Sequence, residues 1–251
     1  MNMTWLRKIS ICLFWLVIWQ CISLLIDNSI IFAGPFEVIH ALVLQLPTRG
    51  FWSTILYSVE KIGLGFLCGF SCGLIFGSLS FRFSFIRELL EPVMILLRSI
   101  PVVSFVILAL IWTGSEHLSV LIAFLVVLPM IYVNTMAGLA SADPKLLEMA
   151  SVFQVPGFRR IRCIYIPALV PYLLSGCRIA LGMSWKSGIA AEVIGVPAGS
   201  MGEQLYISKI YLNTADLFAW TVVIIGISAL TEQLFMWLLR TLARKGGFYD
   251  R

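Results

Sequence analysis

Charged residues are scarce in this chain of 251 residues. Asp, Glu, Lys and Arg make up 12% of the sequence, against 60% apolar residues, and the mean hydropathy is +0.96. Soluble domains carry about one charged residue in four. The composition therefore excludes an ordinary soluble enzyme and leaves no room for a separate soluble domain. We predict an all-α polytopic membrane protein in which residues 1–251 form a single transmembrane domain.

Signatures of catalysis and of metal binding are also missing. The chain has neither a Gly-x4-Gly-Lys-Ser/Thr loop for nucleotide phosphates nor a His-Glu-x-x-His metal motif. It has only 2 His, and its 6 Cys are scattered in or beside apolar runs without the acids or His that would complete a metal site. We therefore expect no catalytic residue, no metal site and no cofactor in this chain.

Charge-free runs divide the sequence into candidate membrane spans. They are residues 9–26, 62–81, 99–115, 118–142, 163–177 and 217–231. A transmembrane helix needs about 20 residues, so the shorter runs must extend past Arg98, Arg178 and Glu232. The first run follows two basic residues, as in a secretory signal, but no small-residue cleavage site follows it. We interpret it as a retained helix and predict six spans.

The basic residues indicate the orientation of these spans. Twelve of the 18 Lys and Arg residues lie before the first span, after the last, or in the loops that follow the second and fourth spans. The other loops hold only Arg49 and Lys209 beside several acids. Because cytoplasmic loops are enriched in Lys and Arg, we predict that both termini and the loop between the fourth and fifth spans are cytoplasmic.

A row of glycines marks the second span. Four of them recur at every fourth position, which places them on one helix face: Gly65, Gly69, Gly73 and Gly77. Such a face lets helix backbones approach closely in lipid. A phosphate-binding glycine loop is excluded because no Lys-Ser/Thr follows. We predict a helix-packing surface, within the subunit or across a dimer.

A polar, Arg-bearing segment at about residues 143–162 separates the fourth and fifth spans. It contains Glu148-Met149-Ala150, then Gln154 and Gly157, and leads to Ile164-Tyr165-Ile166-Pro167. This spacing resembles the cytoplasmic coupling loop of bacterial ABC-importer permeases, whose pattern is Glu-Ala-Ala-x3-Gly-x9-Ile-x-Leu-Pro. Met149 and Gln154 depart from the pattern. Since Gly permits a turn at positive φ, we expect Gln154 to make the bend differently or to shift it towards Pro156-Gly157.

Two further motifs resemble the nitrate, sulfonate and taurine branch of these permeases. They are Leu97-Arg98-Ser99-Ile100-Pro101 with Trp112-Thr113-Gly114, and Ala180-Leu181-Gly182-Met183-Ser184-Trp185-Lys186 with Ala190-Ala191-Glu192. The resemblance covers about residues 50–240. These motifs indicate the branch and do not specify the solute.

The resemblance implies a type I ABC-importer permease fold and a set of partners. The expected assembly is a permease homodimer in the bacterial inner membrane, with an extracytoplasmic substrate-binding protein and separate ATPase subunits that hold ATP and magnesium. The implied cargo is a small anion or heterocycle of the sulfonate, taurine, nitrate or thiamine-precursor class. The alternative is a secondary transporter, but we find no paired broken helices with ion ligands in the two halves.

The resemblance also assigns residues of the polar segment to contact with the ATPase. These are Glu148, Met149, Ala150, Gln154, Gly157, Ile164 and Pro167. Pro144 can start a helix there, with Asp143 as its N-cap. Glu148 would then lie near the positive end of that helix, where it could act as a dipole partner or as a contact for a basic group of the ATPase.

Ionisable residues inside spans supply candidates for the translocation path, because they generally face a protein interior or an aqueous path. The candidates, with the neighbouring small and aromatic residues, are Arg98, Arg178, Gly182, Trp185, Lys186 and Glu192. Arg178, Gly182 and Trp185 share one face of the fifth span. Together with Lys186 they suit a small anionic or aromatic guest. The alternative is internal pairing of Arg178 or Lys186 with Glu192 or Glu232.

Overall fold

The computed structural model describes residues 2–26 and 28–245, which are helical and connected by short loops. In chain order the helices are α1 (Asn2–Ile26), α2 (Pro35–Gln45), α3 (Arg49–Arg82), α4 (Ser84–Ser99), α5 (Val102–Thr113), α6 (Leu118–Ala140), α7 (Pro144–Val152), α8 (Gly157–Arg160), a π-helical turn (Ile161–Tyr165), α9 (Ile166–Gly195), α10 (Met201–Ile210) and α11 (Thr214–Lys245).

Within residues 2–26 and 28–245, five helical segments are long and apolar enough to cross a membrane, and a bent helix pair, if it forms one span, brings the total to six. The segments are the apolar part of α1, then α3, α6, the continuous stretch from α8 through α9, and α11; the bent pair is α4 and α5. The predicted all-α multi-pass fold is therefore confirmed.

The third predicted span differs from a continuous helix. α4 and α5 meet at an angle of 106°, because Ile100 leaves the helical region with φ −73° and ψ 130°. The following Pro101 disfavours the α conformation for the residue before it. The third span does extend past Arg98, as predicted, but as a bent pair of helices: Arg98 lies in the last turn of α4, just before the bend.

The chain forms two compact units, Met1–Tyr57 with Val196–Gly226 and Ser58–Gly195 with Ile227–Arg251. In the first unit, α2 packs against α1 and the start of α11 through Val38, Ala41 and Ala219. Gln45 Nε2 donates to Asp216 Oδ1 at 2.8 Å. Sequence reasoning did not predict α2, because an apolar helix of 11 residues is too short to produce the signal of a span.

In the second unit, α6 packs against both α3 and α9. The four glycines of α3 face α6 so closely that a Cβ on Gly69 would lie 2.9 Å from Phe124 O, and one on Gly73 would lie 2.8 Å from Ile131 Cβ. Likewise, a Cβ on Gly176 of α9 would lie 2.6 Å from Asn134 Cγ of α6. Backbone-to-backbone approach at small residues is how helices associate where apolar burial gives little drive.

Candidate coupling loop and translocation path

The polar segment begins with α7, and its first residues form a helix start. Asp143 Oδ1 accepts a hydrogen bond from Lys145 N at 2.9 Å, and Pro144 occupies the first helical position. A side-chain cap satisfies one of the orphan N–H groups at a helix start, and Pro at this position has no N–H to satisfy. The local sequence is sufficient to start α7 at Pro144.

Glu148 is exposed and lies in the second turn of α7, which has no acidic residue in its first turn. The attraction between a carboxylate and a helix dipole falls off within the first turn. The expectation that Glu148 acts near the positive helix end is therefore wrong. No hydrogen bond or ion pair to its carboxylate comes from the part of the chain that the structure describes, so this charge projects from the loop towards solvent or a partner.

The helix α7 ends in a Schellman motif built around Gln154. Gln154 has φ 48°; its N–H donates to Ser151 O at 3.1 Å, and Val155 N–H donates to Ala150 O at 2.9 Å. These are the two bonds that close such a C-terminal turn, in which glycine is the usual left-handed residue. The bend thus stays at Gln154, and the expectation that it moves towards Pro156-Gly157 is wrong.

The side chain of Arg160, in α8, stabilises the turn at Gln154 through two hydrogen bonds. Its Nε donates to Val155 O at 2.9 Å, and its Nη2 donates to Ala150 O at 3.1 Å. A guanidinium placed at the carboxyl end of a helix satisfies carbonyls that have no partner within the helix. Sequence reasoning counted Arg160 only as a cytoplasmic charge. The structure gives it a second role in joining α7 to α8.

Replacing Gln154 tests the strain of this turn. A left-handed conformation costs an L-residue about 1–2 kcal/mol. We expect Gln154→Gly to leave the Tm unchanged or to raise it, and Gln154→Val to lower it, because β-branched residues resist positive φ. Thermal unfolding of the purified protein in one detergent measures both. Gln154→Asn is the control, since Asn tolerates this conformation; equal Tm values for Gly and Val would contradict the left-handed turn.

Apolar side chains project from the same loop. Met149, Val152, Phe153 and Phe158, which we name the loop patch, are each between 51% and 77% exposed. They stand beside the exposed Glu148, whereas Ala150 of the same helix is buried. Monomeric surfaces rarely leave large apolar side chains clustered in solvent, and such clusters usually mark an interaction site.

The loop continues directly into the fifth predicted span. Gly157 begins α8 with open space around it, Ile164 lies half-buried in the π-helical turn, and Pro167 follows in α9. Ile166 N–H bonds to Ile161 O, five residues back. Pro167 has no N–H to donate, and a single π turn next to it adjusts the backbone without ending the helix. A rigid helical path therefore connects the loop to α9.

Two of the path candidates on α9 make contacts with α11. Arg178 Nε lies 3.2 Å from Glu232 Oε1, with side chains 59% and 33% exposed. Trp185 is buried, and its Nε1 donates to Thr231 Oγ1 at 2.8 Å. Gly182, between them in the sequence of α9, has no atom within 4 Å of the position that its Cβ would take. The pairing weighed as an alternative is thus seen for Arg178 with Glu232, and the Trp185 ring is a packing contact in this conformation.

The other candidates lie apart from one another. Glu192 is fully buried and accepts a hydrogen bond from Ser58 Oγ at 2.7 Å, an arrangement that joins α3 to α9. Lys186 is exposed on α9. Arg98 is exposed on α4, and its Nε donates to Met94 O of its own helix at 3.3 Å. The structure therefore places Arg178 and Trp185 against α11 and does not gather all six candidates into one site.

A family model for the inner membrane component of binding-protein-dependent transport systems matches residues 65–245. The chain belongs to this family. It is a multi-pass membrane protein and a permease subunit of an ABC importer. The secondary-transporter alternative is set aside by this assignment.

Similar proteins support the same assignment. The permease is 27% identical over 250 residues to SsuC of Bacillus subtilis, named for aliphatic sulfonates transport, with 98% of this chain and 90% of that protein covered. It is 26% identical over 201 residues to the nitrate import permease NrtB of Synechococcus elongatus, covering 75% and 72%. The bicarbonate permease CmpB of the same species is 26% identical over 197 residues, covering 77% and 70%. These relatives place the permease in the sulfonate and nitrate branch.

Solved structures of ABC importers share the fold. An amino acid ABC transporter aligns with TM-score 0.59 at 21% identity over 81% of this chain and 97% of that one. The MetNI methionine transporter, in an inward-facing conformation, aligns with TM-score 0.55 at 16% identity over 79% and 96%. At these identities the likeness shows the fold alone.

Proposed function

We propose that the loop formed by α7 and α8 docks on a separate ATPase subunit and transmits its movement to the spans. The loop patch carries this proposal, since it is apolar, exposed and set beside the free-standing charge of Glu148. An apolar anchor surrounded by polar groups is the usual composition of a protein interface. ATP and magnesium belong to that ATPase.

The internal bonds of the loop support a mechanical role. The Asp143 cap, the turn at Gln154 and the two Arg160 hydrogen bonds hold α7 and α8 as one body. The chain then runs through the π-helical turn into α9 without a break. A displacement of α7 by the ATPase would therefore move α9. Helix α9 packs against α6 through small residues, and helices packed in this way can slide past each other from one packed arrangement to another.

The proposed assembly is a permease homodimer with two ATPases on the cytoplasmic side and a substrate-binding protein outside. The asymmetry of basic residues supports cytoplasmic termini in a bacterial inner membrane. The permease opens alternately to the two sides, and ATP binding and hydrolysis by the ATPases supply the energy.

The proposed cargo is a small anion of the sulfonate, taurine or nitrate class. Three relatives are named for sulfonates, nitrate and bicarbonate, all of which are anions. The exposed guanidinium of Arg178, in the inner part of α9, is positively charged and can pair with an anion. A heterocyclic cargo such as a thiamine precursor has no comparable support. The ligand pocket of the partner binding protein would decide between them.

Labelling of single cysteines tests orientation and docking together. In a cysteine-free background, Ser151→Cys on α7 should react only from the cytoplasmic side and should be protected when the ATPase is bound. Ser29→Cys, exposed in the loop before α2, should react only from outside, with no effect of the ATPase. Ser200, in the loop before α10, is not suitable as a second labelling position for the outer side, because it is buried and its side chain caps α10. Exterior labelling of Ser151→Cys in sealed cells, or no protection by the ATPase, would overturn the proposal.

A further inference from the structure

A polar groove runs between α9 and the second half of α11. It has a volume of about 260 Å³, and we name it the inner groove. Its polar lining consists of Arg178, Glu232, Gln233, Arg240, Thr241 and Arg244. Three of these side chains carry a positive charge and one carries a negative charge, so the groove has an excess of two positive charges.

The groove extends deep into the predicted membrane region. Arg178 lies roughly 18 Å along α9 from its start at Ile166, and Glu232 lies roughly 20 Å from the end of α11 at Lys245, at about 1.5 Å rise per residue. The ion pair therefore marks the deep end of the groove, and Arg244 marks its cytoplasmic end. Ionisable groups at this depth avoid lipid tails and face protein or water, so the inner groove is an aqueous or protein-covered path.

The positive charges of the groove are only partly compensated. Glu232 is the ion-pair partner of Arg178. Arg240 and Arg244 have no carboxylate partner among residues 2–26 and 28–245. The negative end of the helix dipole of α11 stabilises the positive charge of Arg244, which lies in the last turn of this helix. It does not stabilise Arg240 in the same way, because this attraction falls off within the last turn.

The side chains present donors in the pattern that an oxyanion requires. Arg240 and Arg244 are one turn apart on α11 and so project on the same side, and Arg178 lies across the groove on α9. Guanidinium groups bind sulfonate, phosphate and carboxylate groups through paired N–H donors. Gln233 adds an amide N–H₂ donor to the lining. One bound oxyanion would accept hydrogen bonds from these donors and offset the excess positive charge of the groove.

We propose that the inner groove is a binding site for an oxyanion, in which the anion replaces the carboxylate of Glu232 as the partner of Arg178. The anion is either a soluble one, such as the transported solute on its way to the cytoplasm, or the headgroup of an anionic phospholipid. Only the first source rests on the proposed function. In the structure Glu232 pairs with Arg178; when an anion enters, the released carboxylate is exposed to the aqueous path.

Chemical labelling inside the groove measures its charge without requiring a known ligand. Thr241 lines the groove, and its Oγ1 donates to Trp237 O, so Thr241→Cys introduces a thiol at small structural cost. In a cysteine-free permease–ATPase complex in nanodiscs, this thiol should react faster with an anionic methanethiosulfonate than with a cationic one. Arg240→Gln should lower the ratio of the two rates by at least about ten-fold, because the lost positive charge attracts the anionic reagent and repels the cationic one and is only partly screened near a protein surface.

Lys245→Gln is the matched control. It removes the same charge from the end of the same helix, but Lys245 does not line the groove. We expect the rate ratio to change by less than about two-fold, since exposed charges outside the groove are screened by salt. Equal effects of Arg240→Gln and Lys245→Gln would mean that the ratio reports only the general charge of the cytoplasmic surface, which would overturn the proposal.

Protection of the thiol identifies the anion. In phosphatidylcholine nanodiscs we add methanesulfonate, and in a second arm we replace part of the lipid with phosphatidylglycerol and add no free anion. Protection by methanesulfonate assigns the groove to a soluble anion, and protection by phosphatidylglycerol alone assigns it to a lipid headgroup. Protection in neither arm overturns the proposal, while the ATPase-docking proposal stands, because none of these readouts depends on transport.

Two variants test the exchange of partners. Glu232→Gln removes the competing carboxylate, so the concentration of protecting anion should fall by about ten-fold, whereas Arg178→Gln should abolish protection. If Arg178→Gln fails to accumulate in the membrane because Glu232 is left unpaired, the double variant Arg178→Gln with Glu232→Gln, which leaves neither charge, takes its place. Full protection in either Arg178 variant would show that Arg178 does not bind the anion.

Discussion

Glu148→Lys is expected to release the ATPase from the permease and to abolish uptake. A dipole partner at an exposed helix end contributes about 0.3–1 kcal/mol, so its loss would weaken assembly by no more than about five-fold. The position of Glu148 in the second turn of α7 removes this explanation. The loss of one partner of a buried interfacial charge pair weakens binding by about 2–5 kcal/mol. Reversing the charge of Glu148 adds repulsion to this loss. Copurification of the ATPase and ATP hydrolysis in vesicles measure the effect.

Graded substitutions separate charge from side-chain volume. Glu148→Gln should be intermediate, because it keeps the shape of the side chain and one acceptor but loses the charge. Glu116→Lys, an exposed residue between α5 and α6, makes the same charge change outside the loop and should leave copurification unchanged. Wild-type copurification and ATP hydrolysis in Glu148→Lys would mean that this loop is not the coupling element.

A single methyl group on the α3 glycine face is expected to disrupt the second compact unit. A Cβ on Gly65 would overlap the carbonyl oxygen of Val120, and one on Gly77 would lie 2.7 Å from Thr135 Cβ and 3.0 Å from Tyr132 O. Real Cβ atoms do not approach so closely, so α3 and α6 must separate. Overpacking of this kind costs about 1–3 kcal/mol per site. The double variant Gly65→Ala with Gly73→Ala should therefore strongly reduce both membrane accumulation and Tm.

Gly63→Ala is the matched control for this prediction. Gly63 lies on the same helix, but nothing is within 4 Å of the position that its Cβ would take. Ala is also favoured over Gly in a helix by about 0.8–1 kcal/mol, so Tm should stay constant or rise. Tm is read from thermal unfolding of the purified complex in one detergent. A similar loss in Gly63→Ala and in the double variant would show that helix propensity or insertion, not packing against α6, limits stability.

Local rules were sufficient for much of the architecture. Apolar length predicted the spans, and Pro144 after Asp143 predicted the start of α7, where the capping hydrogen bond is seen. Such features depend on residues within one or two turns of each other. The apolar helix α2 was missed, because a short apolar run is compatible with several tertiary arrangements.

The candidate site was less predictable. Gln154 adopts the conformation usual for glycine, and the turn there is held by the guanidinium of Arg160, six residues along. No known sequence pattern predicts these hydrogen bonds from Arg160 to the turn. Similarly, Trp185 and Glu192 share a span with Arg178, yet the first two are buried and Arg178 is exposed. Their environments depend on which helices lie against each side of α9.

The sequence by itself determined that this protein is a helical membrane protein, because the cost of placing charge and unpaired backbone groups in lipid leaves few alternatives. The spacing of its motifs, by resemblance to a known family, indicated a permease with a polar coupling loop. The tertiary structure alone decided which polar side chains meet. Arg178 reaches Glu232 and Ser58 reaches Glu192 across positions more than 50 residues apart in the chain. Such pairs follow from the packing of α9 against its neighbours, which depends on the summed shape of many small side chains and not on any one motif.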